Sequence, residues 1–466
     1  MGTLRILRAV LVGVLLWAGS GCGQSSLEEP RPDIVFLLVD ALRKDHLGCY
    51  GYERDTTPVI DGLANDGLLF ENTIAQASWT VPSLASVFTS KYPQFPSAPK
   101  SRDGTTARPR LGGGPLIEKA LTLAEILEVA GYRTISVSTN PYSSDQFQLM
   151  QGFQTRLLEL KASAGWVIDQ AIEQTEAHLA AGGTDRQAPL FLYLHFMDIH
   201  SPLRPPAPYD TLFPALDPPP AEQRHDGEPA LERELSASLS RTIALYDGAL
   251  RFVDAQIGRF MKHLMRIGMY DNLLLVIVAD HGEALGDHSL LERQLGLQGF
   301  SSTYGVGHGH TLFPELTEVP LIFHGRGIPR GRVPQQVRNI DITPTLLAVA
   351  GVAHEEFHPA GIDLIGGWKH GALENLLALS ETVSPAGAQK SLQSHEYQYL
   401  RLPDRELLFD KRTRTLVDVS RDHPELLDQF RRETEAIVLS PILEERFTVA
   451  PDAGLREALR ALGYIE

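Results

Sequence analysis

The sequence predicts an α/β fold in which a mostly parallel central sheet carries helices on both faces, followed by a small α+β subdomain. Three observations predict it. From residue 33 onward, nearly continuous apolar runs alternate with longer helix-forming stretches, the pattern of strands buried on both faces of a parallel sheet. The chain has 466 residues, 43% hydrophobic and 21% charged, enough to bury a large core with a smaller satellite. After about residue 375 the texture changes to short strand-like runs closed by one helix, as expected of a separate α+β piece.

The elements follow in chain order. Residues 1–22 contain Arg5 and Arg8, an apolar run over 9–18, then Gly19, Ser20 and Gly21 before Cys22. Basic, apolar and small-residue segments in that order make a signal peptide, and the apolar run is too short to span a bilayer comfortably. Cys22 resembles the lipidated cysteine of a bacterial lipoprotein, although Gly19 departs from the Leu usual at that place. The expectation is an exported protein on the periplasmic or cell-surface side of a membrane, anchored through Cys22, with polar residues 23–31 as a flexible tether. Residues 32–375 form the main domain and 376–466 the C-terminal subdomain. Strands are expected at 34–39, 133–137, 190–195, 273–278 and 319–323. Helices are expected near 58–66, 83–88, 121–130, 164–180, 231–265 and 343–349. The C-terminal part offers strands at 397–402, 406–410 and 415–419 and a helix at 424–435. Two stretches, 97–115 and 203–229, are rich in Pro and Gly or Arg, and long irregular loops commonly border a site.

Composition removes some classes of function. The chain carries 42 Lys+Arg against 58 Asp+Glu, a formal net charge of −16, and such a chain is a poor match for nucleic acid, whose phosphates need a positive surface. With Cys22 modified or removed, Cys49 stands alone, so the exported domain has no disulfide and depends on its core. Cys49 itself, in Leu47-Gly-Cys-Tyr50, reads as a packed small apolar residue rather than a nucleophile.

In a parallel α/β sheet ligands gather beyond the carboxyl ends of the strands, so the residue that ends each apolar run matters. The first run ends at Asp40, and a later one at Asp280, followed by His281, Gly282 and Glu283. A lone carboxylate there can be a helix cap or turn former. Two strand ends offering carboxylate and imidazole to one crevice instead meet the needs of a divalent cation. A third element, Ser78-Trp-Thr80-Val-Pro82-Ser83, puts Pro82 in the first turn of a helix and Thr80 at its positive end. There Thr80 is either an N-cap or a nucleophile facing an anion held by free amides.

Further motifs stand in order: Asp33-Ile-Val-Phe-Leu-Leu-Val-Asp40 with Arg43-Lys-Asp-His-Leu-Gly48; Thr80-Val-Pro-Ser83 with Ser90-Lys91-Tyr92-Pro93; His195 to Pro202; Asp280-His-Gly-Glu283 with Gly286-Asp287-His288; Val319-Pro320; and Asp341-Ile-Thr-Pro344. Together these resemble the sulfatase branch of the alkaline phosphatase superfamily. The resemblance implies an alkaline-phosphatase-like sandwich, an anionic sulfate or phosphate ester as substrate, and one divalent cation, Ca²⁺, Mn²⁺ or Zn²⁺. It makes Asp40, Asp280 and His281 metal ligands and Thr80 the nucleophile, which also touches the metal. Lys91 and His200 fall where the family holds the ester's charged oxygens. His308 and His310, in Gly307-His-Gly-His310, fall where a leaving-group-protonating Lys or His is expected, and spacing does not choose between them. Glu283, Asp287 and His288 are either partners of these ligands or surface groups.

Two departures bear on mechanism. Sulfatases that build a formylglycine do so from Cys or Ser in a Cys-x-Pro-x-Arg type of sequence, whereas here Thr80 and Leu84 hold those places. Threonine has no geminal hydroxyl, so a covalent Thr80 ester is released only by attack of water on sulfur or phosphorus. Ala41 stands where many sulfatases carry another metal-binding Asp, and the remaining set resembles phosphonate and phosphate ester hydrolases of the branch. The expected activity is hydrolysis of sulfate or phosphate mono- or diesters through Thr80. A phosphotransferase acting on a glycan or lipid hydroxyl, and a non-catalytic sulfatase-like binding protein, are the alternatives.

Overall fold

A computed structural model describes residues 30–95, 114–181, 188–215, 230–297, 305–413, 416–444 and 452–462, with side chains at 230–237 excepted. The signal peptide, Cys22, nearly all of the tether and most of both long loops lie outside the described residues.

Fourteen strands and eleven α-helices are described. The strands are β1 (Asp33–Val39), β2 (Leu68–Ile74), β3 (Arg133–Ser138), β4 (Thr155–Leu158), β5 (Leu190–Phe196), β6 (Leu273–Val278), β7 (Ala284–Leu285), β8 (Val306–Gly307), β9 (Glu318–Gly325), β10 (Gly331–Arg338), β11 (Ala378–Ser384), β12 (Gly387–Gln393), β13 (Tyr397–Arg401) and β14 (Glu406–Asp410). The helices are α1 (Pro58–Asn65), α2 (Thr80–Thr89), α3 (Leu123–Val129), α4 (Ala164–Ala181), α5 (Ala230–Arg266), α6 (Ser289–Leu295), α7 (Pro314–Thr317), α8 (Ile342–Val349), α9 (Leu364–Lys369), α10 (Pro424–Ala436) and α11 (Ala453–Ala461).

Eight strands form the main sheet in the order β10-β2-β9-β6-β1-β5-β3-β4. All run one way except β9, which is antiparallel to both neighbours. β1 lies between β5 and β6, parallel to each, with Val39 opposite Phe196 and Leu38 opposite Val278. Period-two alternation divides the buried side chains of β1 between the sheet's two faces. Ile34, Phe36 and Leu38 join a core cluster with α2, α3, α8, α9 and α11, while Val35, Leu37 and Val39 join one with α1, α4 and α5. Helices therefore cover both faces, as expected. A four-stranded antiparallel sheet, β11-β12-β13-β14, follows and is tied to the main unit by Ser380 Oγ donating to the Ala75 carbonyl (2.6 Å) and Thr382 Oγ1 to that of Gly309 (2.8 Å).

The five expected main-sheet strands are present, but β2, β4 and β10 escape a search for continuous apolar runs. β4 and β10 are edge strands, and β10 includes Pro334 at a register shift, which an edge tolerates. In β11 and β12 the buried positions include Ser380, Glu381, Thr382, Ser391 and Gln393, polar groups whose hydrogen bonds only the assembled fold reveals. The strand expected at 415–419 is corrected: it reduces to one bridge between Asp418 and Phe409.

Candidate metal centre and active site

Four adjacent strands, β6, β1, β5 and β3, end at one rim of the sheet and supply the site. Asp40 follows β1, Asp280 and His281 follow β6, His195 lies near the end of β5, and Asn140 follows β3. Each reaches the rim because its strand registers with its neighbour, Ser138 opposite His195 and His195 opposite Leu38. Thr80 arrives from another direction as the first residue of α2. That helix is buried along its whole length, so its amino end is held firmly under the rim.

Asp40, Asp280 and His281 are fully buried and present ligand atoms within 4.8 Å of one another. His281 Nε2 lies 3.5 Å from Asp40 Oδ1 and 3.4 Å from Asp280 Oδ2. Thr80 Oγ1 is 3.5 Å from Asp40 Oδ2 and 3.4 Å from His281 Nε2. The two carboxylates follow one rule. Asp280 Oδ1 accepts from the His281 amide (3.0 Å) and the Ala41 amide (3.4 Å), while its Oδ2 has no hydrogen-bond partner. Asp40 Oδ2 accepts from Asn140 Nδ2 (2.7 Å) and His195 Nε2 (3.0 Å), while its Oδ1 has none. Two bare carboxylate oxygens facing one imidazole nitrogen in a dry site are costly unless a cation joins them, so this donor set fits a divalent metal ion.

The electrostatics agree. Burial and the neighbouring Asp40 charge push Asp280 up to about 7. Burial works against Asp40 as well, but its hydrogen bond to His195 and the adjoining imidazoles hold it well below the usual carboxylate range. Such a split is what two close carboxylates in a dry site show.

Ala41 adopts left-handed backbone, φ 58°, a conformation disfavoured by a side chain, and its amide serves Asp280. Gly282 has no room for a side chain, since a Cβ there would meet the Glu315 carbonyl. Its amide instead bonds the Leu316 carbonyl (3.0 Å), which fixes the turn carrying His281.

His308 is brought to the centre by the β7–β8 pairing, Ala284 opposite Gly307, and by the Gly309 amide on the Ser78 carbonyl (2.8 Å), two residues before Thr80. Its ring lies 4.4 Å from that of His281 and 4.8 Å from that of His200, centroid to centroid. His308 Nδ1 pairs with Glu283 Oε2 at 2.9 Å, and His200 Nδ1 donates to the Ser201 carbonyl at 2.6 Å. Burial pushes Glu283 up to about 7 and His308 down to about 4. With Nδ1 committed to Glu283, proton exchange with a substrate falls to Nε2.

The structure thus gathers Asp40, Thr80, Asp280, His281, His200 and His308, and of the two histidines that spacing left open it sets the His308 ring against those of His281 and His200. His310 is instead paired through Nε2 with the buried Glu292 at 3.0 Å. Lys91 is not brought to the cluster. It follows the far end of α2, roughly 16 Å along the helix from Thr80 at 1.5 Å per residue, and its Nζ bonds the His358 carbonyl. Glu283 is the partner of His308, whereas Asp287 pairs with Arg43 (2.5 Å) and His288 with Glu315 (2.9 Å). Sequence reasoning missed Asn140 and His195. His195 ends the 190–195 apolar run, so the strand-end rule that found Asp40 and Asp280 could have found it. Asn140 had only the weak signal of an Asn-Pro turn after a strand.

Comparison with known proteins decides the family. Residues 32–352 match the sequence model of the sulfatase family. The chain belongs to the sulfatase family. It is accordingly a hydrolase of ester bonds, on an alkaline-phosphatase-like fold. An arylsulfatase of Clostridium perfringens is 23% identical to this sulfatase-family chain over 395 residues, covering 69% of it and 76% of the relative. An N-acetylglucosamine-6-O-sulfatase of Bacteroides thetaiotaomicron is 21% identical over 474 residues, covering 82% and 77%. The crystal structure of a phosphonate monoester hydrolase of Agrobacterium radiobacter superposes with a TM-score of 0.65 at 20% identity, covering 87% of this chain and 95% of that one.

Proposed function

We propose that this sulfatase-family protein is a metal-dependent hydrolase of anionic esters in which Thr80 is the nucleophile, and that phosphorus esters, phosphate or phosphonate, are its better substrates. One observation carries the reading: the Thr80 hydroxyl lies within 3.5 Å of Asp40 Oδ2 and His281 Nε2 at the amino end of a buried helix. Asp40, Asp280 and His281 hold the cation, and their single imidazole nitrogen favours Mn²⁺ or Zn²⁺ over Ca²⁺. When bound, the cation polarises the ester and acidifies the adjacent hydroxyl. Thr80 Oγ1 releases its proton to water and attacks phosphorus in line, forming a phosphothreonine and breaking the bond to the leaving oxygen. His308 passes the hydrogen on Nε2 to that oxygen while Glu283, protonated and bonded to Nδ1, returns one to the ring, and His200 beside it, as the imidazolium, holds the ester's other oxygens. Water then attacks phosphorus and restores the hydroxyl. A sulfothreonine would face the same final step at sulfur without the geminal hydroxyl that lets a formylglycine expel sulfate, which is why phosphorus esters are preferred. The basic, apolar and small-residue order of residues 1–22 supports export and anchoring through Cys22.

Turnover of aryl phosphate monoester, diester, phosphonate and sulfate by the wild type and Thr80→Ala tests this, together with acid quenching and mass spectrometry for a modified Thr80. Loss of roughly a thousandfold or more in kcat in the variant, with phosphothreonine trapped in the wild type, is the expected result. Undiminished activity of Thr80→Ala removes the covalent mechanism, and phosphoryl transfer to added glycerol would make the protein a transferase.

A further inference from the structure

Asp40 is held by more than its own backbone. Its Oδ2 accepts from Asn140 Nδ2 at 2.7 Å and His195 Nε2 at 3.0 Å, besides the longer bond from Thr80 Oγ1 at 3.5 Å, and Asn140 and His195 are fully buried. The carboxylate is an acceptor only, so in the neutral His195 ring the hydrogen sits on Nε2 and Nδ1 is an acceptor. Tyr193 OH, 3.0 Å from that Nδ1, is therefore the donor. The result is a directed chain, Tyr193 to His195 to Asp40, built on alternate residues of β5, which present their side chains to one face. Asn140 closes it from β3 and is fixed in turn, its Oδ1 accepting from the Tyr142 amide at 2.7 Å.

We infer that His195 and Asn140 are positioning residues that lock Asp40 with Oδ2 satisfied by protein donors, so that only Oδ1 is offered to the cation. This rests on the metal-centre reading above and goes beyond it by naming what determines how Asp40 binds. The two donors also do for Asp40 what the His281 and Ala41 amides do for Asp280, so each carboxylate serves as a one-oxygen ligand. With Ala41 in place of a further carboxylate, precise aim of the remaining two matters more. Groups that orient metal ligands commonly account for roughly 10- to 100-fold in metal affinity.

The test is a titration of the metal-free full chain with Mn²⁺ alone, read as bound metal by electron paramagnetic resonance and as the thermal shift it produces. His195→Ala and Asn140→Ala should each weaken Mn²⁺ binding by roughly 10- to 100-fold. His195→Gln, which keeps a side-chain donor, should recover part of it. Tyr193→Phe loses one hydroxyl and keeps the ring, so it retains the fold and should weaken binding in the same direction by less. Asp40→Asn is the reference. If it abolishes binding while folded His195→Ala, Asn140→Ala and Tyr193→Phe all bind like the wild type, the positioning role is overturned and the metal centre stands. If Asp40→Asn binds Mn²⁺ undiminished, the metal-centre reading fails and takes this inference with it.

Discussion

At the scale of single residues the site separates groups that look alike in the sequence. His308 and His310 are two positions apart, yet one lies against the His281 ring at a tilt and the other is paired with Glu292. Removing a general acid typically costs about 10²- to 10⁴-fold, so His308→Ala should lower kcat by that amount on an alkyl ester. The loss should shrink on a nitrophenyl ester, whose leaving oxygen needs no proton. His310→Ala should instead leave the buried Glu292 with only the Gly305 amide on its carboxylate and show as lost thermal stability with kcat retained. Equal kinetic losses in both variants would contradict the assignment. Lys91→Ala should leave kcat/KM as it is, because its ammonium serves the His358 carbonyl.

At the scale of elements, Glu318 at the start of β9 joins three parts of the chain. It pairs with Lys44, just after β1, at 2.6 Å and with Lys411, just after β14, at 3.2 Å. Burial would raise this carboxyl, but the two ammonium groups hold it down at about 2. A depressed folded pKa means that the contribution to stability is fully present above the ordinary glutamate value and fades as pH falls toward the folded one. The wild type should therefore lose stability between about pH 4.5 and 2. Glu318→Gln should be less stable at neutral pH by on the order of 3 kcal/mol, with a flatter acid slope. Denaturant midpoints measured at several pH values check both, and parallel slopes for the two proteins would refute the role. α5 does similar work through Asp254, which accepts from the Val59 amide (3.1 Å) and the Ile60 amide (2.8 Å) and so pins the start of α1. Cys49 is a packing residue here as well: its thiol pKa is pushed up by burial and by Asp61, which is the opposite of what a nucleophile needs.

At the scale of the molecule, a cation bound as proposed would link the centre to folding, because the residues that would hold it come from both halves of the main sheet. The unfolded chain spreads Asp40, Thr80, Asp280 and His281 over some 240 positions, so a cation binds only the folded form tightly. At one hundred times the dissociation constant this linkage contributes ~2.7 kcal/mol. Treatment with a chelator should lower the melting temperature and abolish turnover, and Mn²⁺ or Zn²⁺ should restore both in a concentration-dependent way. A melting temperature indifferent to chelation would argue against a cation at this site. No helix among the described residues is long and apolar enough to cross a membrane.

Local sequence was enough to read the layered α/β plan, five strands of the main sheet and seven of the eleven described helices, and to single out Asp40, Thr80, Asp280 and His281, which the fold brings together. Interior parallel strands are apolar throughout and end abruptly at the polar residue that faces the ligand, so both strand and site are written locally. It took the folded arrangement to show that Lys91 bonds the His358 carbonyl, that His308 lies against His281 while His310 pairs with Glu292, and that Asn140 and His195 hydrogen-bond Asp40. Those outcomes depend on the length of a helix, the pairing of β7 with β8 and the register of β3, β5 and β1. Strands with polar interiors, such as β11 and β12, were hidden for the same reason: their hydrogen bonds reach partners as far as hundreds of residues away, and no local pattern announces them.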